Sequence, residues 1–350
     1  MSTAALPQLD SRLFLTDGGL ETSLIFLDGW EIPDFAAFPL LGSADGRKAL
    51  DDYFDAYAQV AARHGTGLVL ETATWRANPD WGARLGYDAD ALDAVNRDAV
   101  RQLLGVRDRH AGLGVPIVVS GCVGPRGDGY VLDEAMSPDA SAEYHGPQVR
   151  SLASAGADLV TAITMTSSAE GTGIVTAARA AGIPVVISFT VETDGWLPSG
   201  EHLDDAIDAI DEATDAAAAY FMINCAHPTH FAEALAIASP ARSRIRGVRA
   251  NASVLSHAEL DEAQELDAGD PADLADRCTA LVAALPDLTV LGGCCGTDAR
   301  HIDAIGAARA PLFADRSVGR SATPVASRRL RCAERKEGGP PRTRIETDRP

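Results

Sequence analysis

Short apolar runs alternate with longer segments of helical periodicity along most of the chain. Eight runs rich in Val, Ile and Leu are predicted to be strands, at residues 13–16, 68–72, 117–121, 159–163, 185–189, 220–224, 245–250 and 288–291. The alanine-rich amphipathic segments between them are predicted to be helices, at about 47–64, 88–111, 140–155, 170–181, 203–217, 229–238, 270–284 and 298–309. Apolar strands that are each followed by a helix are typical of a parallel sheet covered by helices.

Eight such units are the number that closes a (β/α)8 TIM barrel, which fills roughly 250 residues as one domain. An open doubly wound sheet is the alternative, but eight regular units without a nucleotide-binding loop fit it poorly. We therefore predict an α/β protein with one barrel domain over residues 1–312. The reacting groups of such barrels gather at the C-terminal ends of the strands, so candidate chemistry is expected there.

The alternating pattern stops after about residue 312, and the charge changes sign. From Arg316 onward the chain carries 10 basic and 4 acidic residues, with the run Gly338-Gly339-Pro340-Pro341 and no apolar periodicity. Residues 313–350 are therefore predicted to form a disordered basic tail. A nucleic-acid-binding arm is the other interpretation, which the acidity of the rest of the chain disfavours.

The 350 residues carry 30 basic and 50 acidic side chains, a net charge of −20. Such a charge repels nucleic acid and anionic lipid and concentrates cationic small molecules, although it also suits a soluble or salt-adapted surface. No segment approaches the roughly 20 apolar residues of a membrane span, and the first twelve residues lack the apolar core of a signal peptide. We expect no membrane or nucleic-acid partner and a cytoplasmic location, where the six cysteines stay reduced.

Only two lysines are present, Lys48 in a helical segment and Lys336 in the predicted tail. Schiff-base and pyridoxal phosphate chemistry both require a lysine inside a pocket, so both classes are disfavoured. The chain also lacks a Walker loop, a Gly-x-Gly-x-x-Gly turn after a strand, a nucleophile elbow and a His-Glu-x-x-His pair. The classes of enzyme that depend on these motifs are therefore disfavoured as well.

Two neighbouring thiols, Cys294 and Cys295, lie between glycines at the end of the eighth predicted strand. Adjacent side chains on an extended backbone point to opposite faces, but flanking glycines allow both sulfurs to turn toward one point. A third thiol, Cys225, follows the sixth strand, two positions away around the barrel, so the three thiols can meet over its centre. Three thiolates favour tetrahedral zinc, and three protein ligands leave the open position of a catalytic site.

The cysteines could also have a purely structural role. His227 or His301 could supply a fourth ligand and make the zinc site structural. Burial in the core would account for Cys122 and Cys278, but not for a glycine-flanked pair. Zinc with three thiolates carries a net charge of −1, so it is a poor Lewis acid and a good holder of a further thiolate. The chemistry that follows is attack by a substrate sulfur on an activated carbon.

Further polar residues stand at the strand ends and are predicted to line the substrate pocket. They are Asp17, Gly18 and Gly19 after the first strand, Glu71 in the second, Asn224 at the end of the sixth and Asn251 after the seventh.

Six motifs along the chain are informative together: Asp17-Gly18-Gly19-Leu20-Glu21-Thr22, Tyr144-His145-Gly146-Pro147-Gln148, Ala155-Gly156-Ala157-Asp158-Leu159, Ile187-Ser188-Phe189-Thr190, Ile223-Asn224-Cys225 and Gly292-Gly293-Cys294-Cys295-Gly296-Thr297. They resemble the homocysteine S-methyltransferase family, which includes betaine- and S-methylmethionine-dependent enzymes. The Asn-Cys and Gly-Gly-Cys-Cys-Gly segments are the specific signal, and the similarity runs from about residue 13 to residue 305.

The resemblance implies a (β/α)8 barrel whose zinc is bound by Cys225, Cys294 and Cys295. It also implies that the zinc holds the thiolate of homocysteine while a cationic donor, such as S-methylmethionine, delivers a methyl group and methionine is formed. The carboxylate of Asp17 would help to hold the ammonium of the amino acid, and the glycine turn that follows would line the same pocket. The acidic chain would steer the cationic donor.

One position departs from the family pattern. The family often has a glutamate near the end of the fourth strand that also contacts the substrate ammonium, and this chain has Ile163 there. Glu71, Glu170 or Glu192 could take over the contact, with Glu71 favoured because the second strand neighbours the first. The loop 124–130 either closes over the donor or is only a long connection. The alternatives left open are another thiol or selenol acceptor, a non-catalytic zinc- or thiol-binding barrel, and a barrel that works with a corrinoid protein.

Overall fold

A computed structural model of the chain describes residues 6–320, apart from 133–134, 237–238 and 264. Within these residues, eight parallel strands follow one another around a closed barrel, and the eighth pairs with the first. The strands are β1 Phe14–Thr16, β2 Gly67–Glu71, β3 Ile117–Val123, β4 Leu159–Met165, β5 Val185–Phe189, β6 Tyr220–Asn224, β7 Ile245–Ala250 and β8 Val290–Gly293. The predicted (β/α)8 TIM barrel is confirmed, and the open doubly wound sheet is excluded.

Helices cover the outside of the barrel and also occupy some of the loops at its mouth. In the described part of the chain they are α1 Leu20–Phe26, α2 Ala44–His64, α3 Pro79–Arg84, α4 Ala89–Arg109, α5 Pro138–Ala155, α6 Ser168–Ala181, α7 Leu203–Thr214, α8 Pro228–Phe231, α9 His257–Asp261, α10 Pro271–Ala280 and α11 Ala299–Arg320. The short helices α1, α3 and α9 were not predicted, because fewer than two turns give no clear periodicity. Over the described residues up to 236, the predicted helix at 229–238 is the single turn α8 followed by a 3₁₀ turn.

The ends of several helices follow from local chemistry. Ser43 and Asp88 cap the first turns of α2 and α4, where their side chains accept hydrogen bonds from backbone N–H groups. Gly65, Gly156 and Gly182 end α2, α5 and α6 in the left-handed conformation, which glycine adopts without a steric penalty. These signals fix where each helix turns back toward the next strand.

The barrel interior is built in layers of different polarity. The lower layer is apolar and contains Leu6, Phe14, Val69, Val118, Leu159, Val186, Tyr220, Met222 and Val290. Side chains on a strand alternate between faces, so the next inward position lies two residues further along. Those positions hold Thr16, Glu71, Ser120, Thr161, Ser188, Asn224, Arg249 and Gly292. A polar layer therefore lies between the apolar floor and the C-terminal mouth.

The last helix continues beyond the predicted end of the barrel domain. Helix α11 reaches Arg320 and contains Pro311, whereas the sequence pattern placed the end of the helix at 309 and the domain boundary at 312. The rest of the predicted basic tail, residues 321–350, lies outside the described residues, so its disorder stays a prediction. Over the described ranges, the chain has no helix that is both long and apolar enough to cross a membrane.

Candidate active site

Three thiols meet at the C-terminal mouth of the barrel. Cys225 follows β6, and Cys294 and Cys295 follow β8. Their Sγ atoms all lie within 4.8 Å of one another, and those of Cys225 and Cys295 are 3.6 Å apart. Among the described residues, this is the one cluster of His, Cys, Asp or Glu side chains with the spacing of a metal site. The sequence predicted that these thiols lie together, because strands 6 and 8 are two positions apart around the barrel.

A strained backbone conformation directs the Cys225 sulfur toward the other two. Cys225 has a φ of 54°, in the left-handed region, which costs a residue other than glycine roughly 1–2 kcal/mol. Two hydrogen bonds hold it there. The Cys225 N–H donates to the Arg249 carbonyl at 3.1 Å, and the Cys225 carbonyl lies 2.6 Å from Nε2 of His257. Strain that is held by its surroundings in this way is typical of functional sites.

Glycines let the turn that carries Cys294 pack directly against the turn after β1. A Cβ on Gly19 would lie 2.6 Å from the Cys294 carbonyl oxygen, and a Cβ on Gly293 would lie 1.9 Å from Oγ1 of Thr297. The Thr297 hydroxyl donates to the same carbonyl at 2.7 Å and closes the turn. The glycines thus allow the close approach that brings two adjacent sulfurs into one site.

Two of the three sulfurs have the separation expected of zinc ligands, and the third lies within 4.8 Å of both. Zn–S bonds of about 2.3 Å at tetrahedral angles place ligand sulfurs about 3.8 Å apart, and Cys225 and Cys295 have nearly this separation. Hydrogen bonds from Cys225 and Cys295 lower the pKa of the Cys294 thiol well below its usual value, which favours the thiolate form that binds metal. The donor set is the soft, anionic type that zinc prefers.

Neither histidine that the sequence offered as a fourth ligand joins the thiols. Nδ1 of His227 lies 2.7 Å from the Thr229 hydroxyl, at the start of α8. Nε2 of His301 lies 2.7 Å from the Ala268 carbonyl. Because both rings are engaged elsewhere, the fourth side of the cluster faces the cavity rather than a protein imidazole.

Tyr130 approaches this fourth side from the loop after β3. Its hydroxyl lies 3.2 Å from Sγ of Cys225 and 3.6 Å from Sγ of Cys295. The Tyr130 ring stacks on the His257 ring, with centroids 4.2 Å apart and planes 17° from parallel. His257 also lies 3.1 Å from a carboxylate oxygen of Glu192. The glycine-rich loop 124–130 is therefore more than a connection, because its last residue contacts the thiols.

A buried cluster of three charged residues lies beneath the cavity. Nη2 of Arg249 donates to Oδ1 of Asp17 at 2.6 Å and to the Gly18 carbonyl at 3.3 Å, and its Nη1 lies 3.7 Å from Oε1 of Glu71. Burial raises the pKa of Asp17 to about 6 and that of Glu71 to about 7, although Arg249 opposes both shifts. The two carboxyls share one guanidinium, so the cluster carries a net negative charge when both are ionised.

A cavity of about 360 Å³ opens above the thiols and this cluster. Its polar walls include Gly18, Gly19, Glu21, Arg76, Asp128 and Tyr130, together with all three thiols. Its apolar walls include Phe35, Trp75 and Ile163. The rings of Phe35 and Trp75 meet edge to face, with centroids 6.5 Å apart. The cavity combines a candidate metal centre, carboxylates and aromatic faces.

Comparison with known proteins agrees with this arrangement. The family described as homocysteine S-methyltransferase matches residues 14–309, which is most of the chain. The chain belongs to the homocysteine S-methyltransferase family. This membership makes it an S-methyltransferase and disfavours a non-catalytic binding protein. No curated protein matches the sequence.

Solved structures show the same fold for a homocysteine methyltransferase, MmuM from Escherichia coli. The metallated form has a TM-score of 0.65 at 22% identity and covers 85% of this chain and 96% of that one. The oxidized form has a TM-score of 0.67 at 22% identity and covers 87% of this chain and 98% of that one. The apo form has a TM-score of 0.62 at 21% identity, with the same two coverages. At such identities the likeness concerns the fold alone.

The structure separates the predicted pocket residues of this S-methyltransferase into two groups. Asp17, Gly18, Gly19 and Glu71 line the cavity. Asn224 does not, because its Oδ1 accepts hydrogen bonds from Thr164 N at 2.9 Å and Ser188 Oγ at 2.6 Å, which ties the ends of β4, β5 and β6 together. Asn251 is 1% exposed and is also absent from the cavity wall.

The remaining predicted residues have other positions. Glu170 is buried against His145 at 2.9 Å and accepts from Arg126 N at 2.8 Å, so it anchors the loop after β3. Glu192 contacts His257 rather than the cavity. Cys278 is fully buried in the core, whereas Cys122 is buried and also lines the cavity.

Several cavity residues were not predicted from the sequence as contributors to the site, among them Glu21, Arg249 and the Tyr130 side chain. Arg249 had a detectable signal, because it is a charged residue at an inward position of a strand that is otherwise buried. Glu21 lies in the first turn of a helix too short to predict. The contact of Tyr130 depends on the path of a long loop, which sequence patterns do not specify.

Proposed function

We propose that this S-methyltransferase moves a methyl group from a cationic donor, S-methylmethionine or a similar onium compound, to the sulfur of homocysteine, with zinc at the three thiols. The observation that carries the proposal is the convergence of three Sγ atoms within 4.8 Å of one another at the wall of a cavity. Zinc bound there would keep the acceptor sulfur in its reactive thiolate form near neutral pH. The product would be methionine.

The surrounding residues suit the two substrates in different ways. The Tyr130 hydroxyl reaches two of the ligand sulfurs and can donate a hydrogen bond to a thiolate. The edge-to-face pair of Phe35 and Trp75 offers aromatic surface of the kind that attracts onium groups. Carboxylates in the cavity wall favour cationic groups on either substrate. These features support a cationic donor and an amino-acid acceptor.

The proposal is tested by metal content and by product formation. Purified protein should hold about one zinc per chain and form methionine from homocysteine and S-methylmethionine. The variant C225A should lose both, since two thiols hold zinc weakly. C278A, which removes a buried thiol far from the cluster, should keep both. Full activity in a zinc-free C225A protein would refute the zinc-dependent mechanism.

A different acceptor is the second candidate, because Ile163 is apolar and Arg249 already pairs with Asp17. Comparing homocysteine, cysteine and selenohomocysteine with one donor would identify it. If no small donor supports transfer but a corrinoid protein does, the partnered alternative would replace the proposal.

A further inference from the structure

Asp17 is already paired in this structure, which affects how an amino-acid acceptor can bind. Its Oδ1 accepts a hydrogen bond from Arg249 at 2.6 Å, and both residues are buried. A second cation beside Asp17 would meet the guanidinium as well as the carboxylate, so its attraction to Asp17 would be weakened. Position 163, where the family often has a glutamate, holds isoleucine. If the acceptor carries an ammonium, as the proposed function requires, a carboxylate without an ion pair would hold it more strongly than Asp17 would.

Glu21 is placed to do so because its helix begins against the thiol-bearing turn. Helix α1 starts directly after Gly19, where a Cβ would lie 2.6 Å from the Cys294 carbonyl oxygen. The next point of contact is a hydrogen bond of 3.1 Å from Gly296 N to Oγ1 of Thr22. The start of α1 is thus held on both sides of Cys295, and the Glu21 side chain lines the same cavity as the thiols.

Within the described part of the chain, Glu21 forms no direct ion pair, although burial raises the pKa of Glu21 and the Arg76 guanidinium partly opposes this rise. Among the described residues, no Lys, Arg or His nitrogen pairs with its carboxylate within 4.0 Å. Arg76 also lines the cavity, but its guanidinium lies 3.7 Å from a carboxylate oxygen of Asp128 and 3.7 Å above the Trp81 ring. Arg249 forms ion pairs with Asp17 and Glu71. The Glu21 carboxyl is therefore free of a direct ion pair with any residue that the structure describes and open to a ligand in the cavity.

Taken with the proposed function, on which this inference rests, we propose that Glu21 binds the α-ammonium of the acceptor. In homocysteine the sulfur and the nitrogen are separated by three carbons, so they lie at most about 5 Å apart when bonds of about 1.5 Å are extended. A sulfur held at Cys294 and Cys295 therefore places the ammonium within a short distance of the start of α1. The cationic methyl donor would then bind against the aromatic pair Phe35 and Trp75.

The test compares two thiols that differ only in the ammonium, homocysteine and 4-sulfanylbutanoate. Calorimetry on zinc-loaded protein without donor measures their binding, so the readout does not depend on turnover. Wild type should bind homocysteine at least about tenfold more tightly than the des-amino thiol, the size expected for a charge-assisted hydrogen bond. E21Q should lose this preference while its affinity for 4-sulfanylbutanoate stays the same, and E21D should restore part of it.

E143Q, which removes an exposed carboxylate on α5, serves as the matched control and should bind both thiols as wild type does. Equal preference in E21Q and wild type would overturn the inference, as would a wild type that does not prefer homocysteine. An effect of E21Q on the KM of the donor alone would also overturn it. If wild type shows the preference but forms no methionine with any donor, the proposed function fails and the role of Glu21 stands.

Discussion

The Arg249 guanidinium donates to the Asp17 carboxylate at 2.6 Å inside the barrel, although 232 residues separate the two in sequence. Both side chains are at most 6% exposed, and Glu71 lies 3.7 Å from the same guanidinium. A buried cation that pairs with two carboxylates is hard to remove, because both carboxylates would then be buried without a cation. The cluster of Asp17, Glu71 and Arg249 therefore stabilises the barrel and also lines its pocket.

Replacing Arg249 should destabilise the fold strongly. We expect R249M to lower the free energy of unfolding by about 3–5 kcal/mol at pH 8, because Asp17 and Glu71 lose their shared cation. Urea unfolding measures the change. The control is R246M on the same strand, where Arg246 pairs with Asp287 at 3.6 Å near the surface and should cost less than about 1 kcal/mol. Equal losses in the two variants would contradict this account of the cluster.

The pKa of Glu71 predicts how stability changes with pH. Burial raises it from 4.5 to about 7, so the folded state binds more protons between these values. The protonated Glu71 carboxyl makes its whole contribution to the free energy of unfolding below about pH 4.5. This contribution is lost as the pH rises from 4.5 through 7. E71Q lacks this loss and should be more stable than wild type by up to about 3 kcal/mol at pH 8, with little difference near pH 4.5.

Unfolding midpoints of wild type and E71Q at several pH values, at matched zinc content, measure this difference. E233Q removes an exposed carboxylate and should track wild type throughout. A constant difference between E71Q and wild type over the whole range would show that Glu71 does not titrate with a raised pKa.

The Tyr130 hydroxyl should slow the loss of zinc. In Y130F the hydrogen bonds to the sulfurs of Cys225 and Cys295 are lost, so a competing chelator should remove zinc about tenfold faster, as expected for one lost charge-assisted hydrogen bond. The ring still stacks on His257, so the fold should be kept. Y144F removes a hydroxyl that donates to Asn78 Oδ1 at 2.9 Å, and it should release zinc at the wild-type rate. Identical release from Y130F and wild type would assign the hydroxyl no role at the metal.

A side chain at position 19 should disturb the metal site through the backbone. In G19A the added Cβ would lie 2.6 Å from the Cys294 carbonyl oxygen, a backbone atom that cannot move without shifting the sulfur. We expect zinc affinity to fall by about tenfold or more, which titration against a zinc indicator measures. G42A meets no atom within 4 Å and should bind zinc as wild type does. Normal affinity in G19A would mean that the turn adapts.

The fold and the thiol cluster could be predicted because they depend on periodic or local features. Eight apolar runs alternating with helical segments indicate a barrel, and β5, β6 and β7 have the predicted bounds. Closing eight strands in order places the ends of β6 and β8 two positions apart around the mouth. The glycines around Cys294 and Cys295 then indicate that the sulfurs can converge with that of Cys225. These conclusions need only strand order and backbone freedom.

Only the tertiary structure decided which pocket groups are paired and which are open to a ligand. The resemblance assigned Asp17 to the substrate, but the barrel brings Arg249 to it from the far side of the sequence. Such pairings depend on the register between strands and on the direction of each inward side chain, and a charge pattern along one strand determines neither. The role proposed for Glu21 follows from this pairing. The sequence by itself therefore determined the thiol cluster, and the packing inside the barrel decided which carboxylates are held in ion pairs.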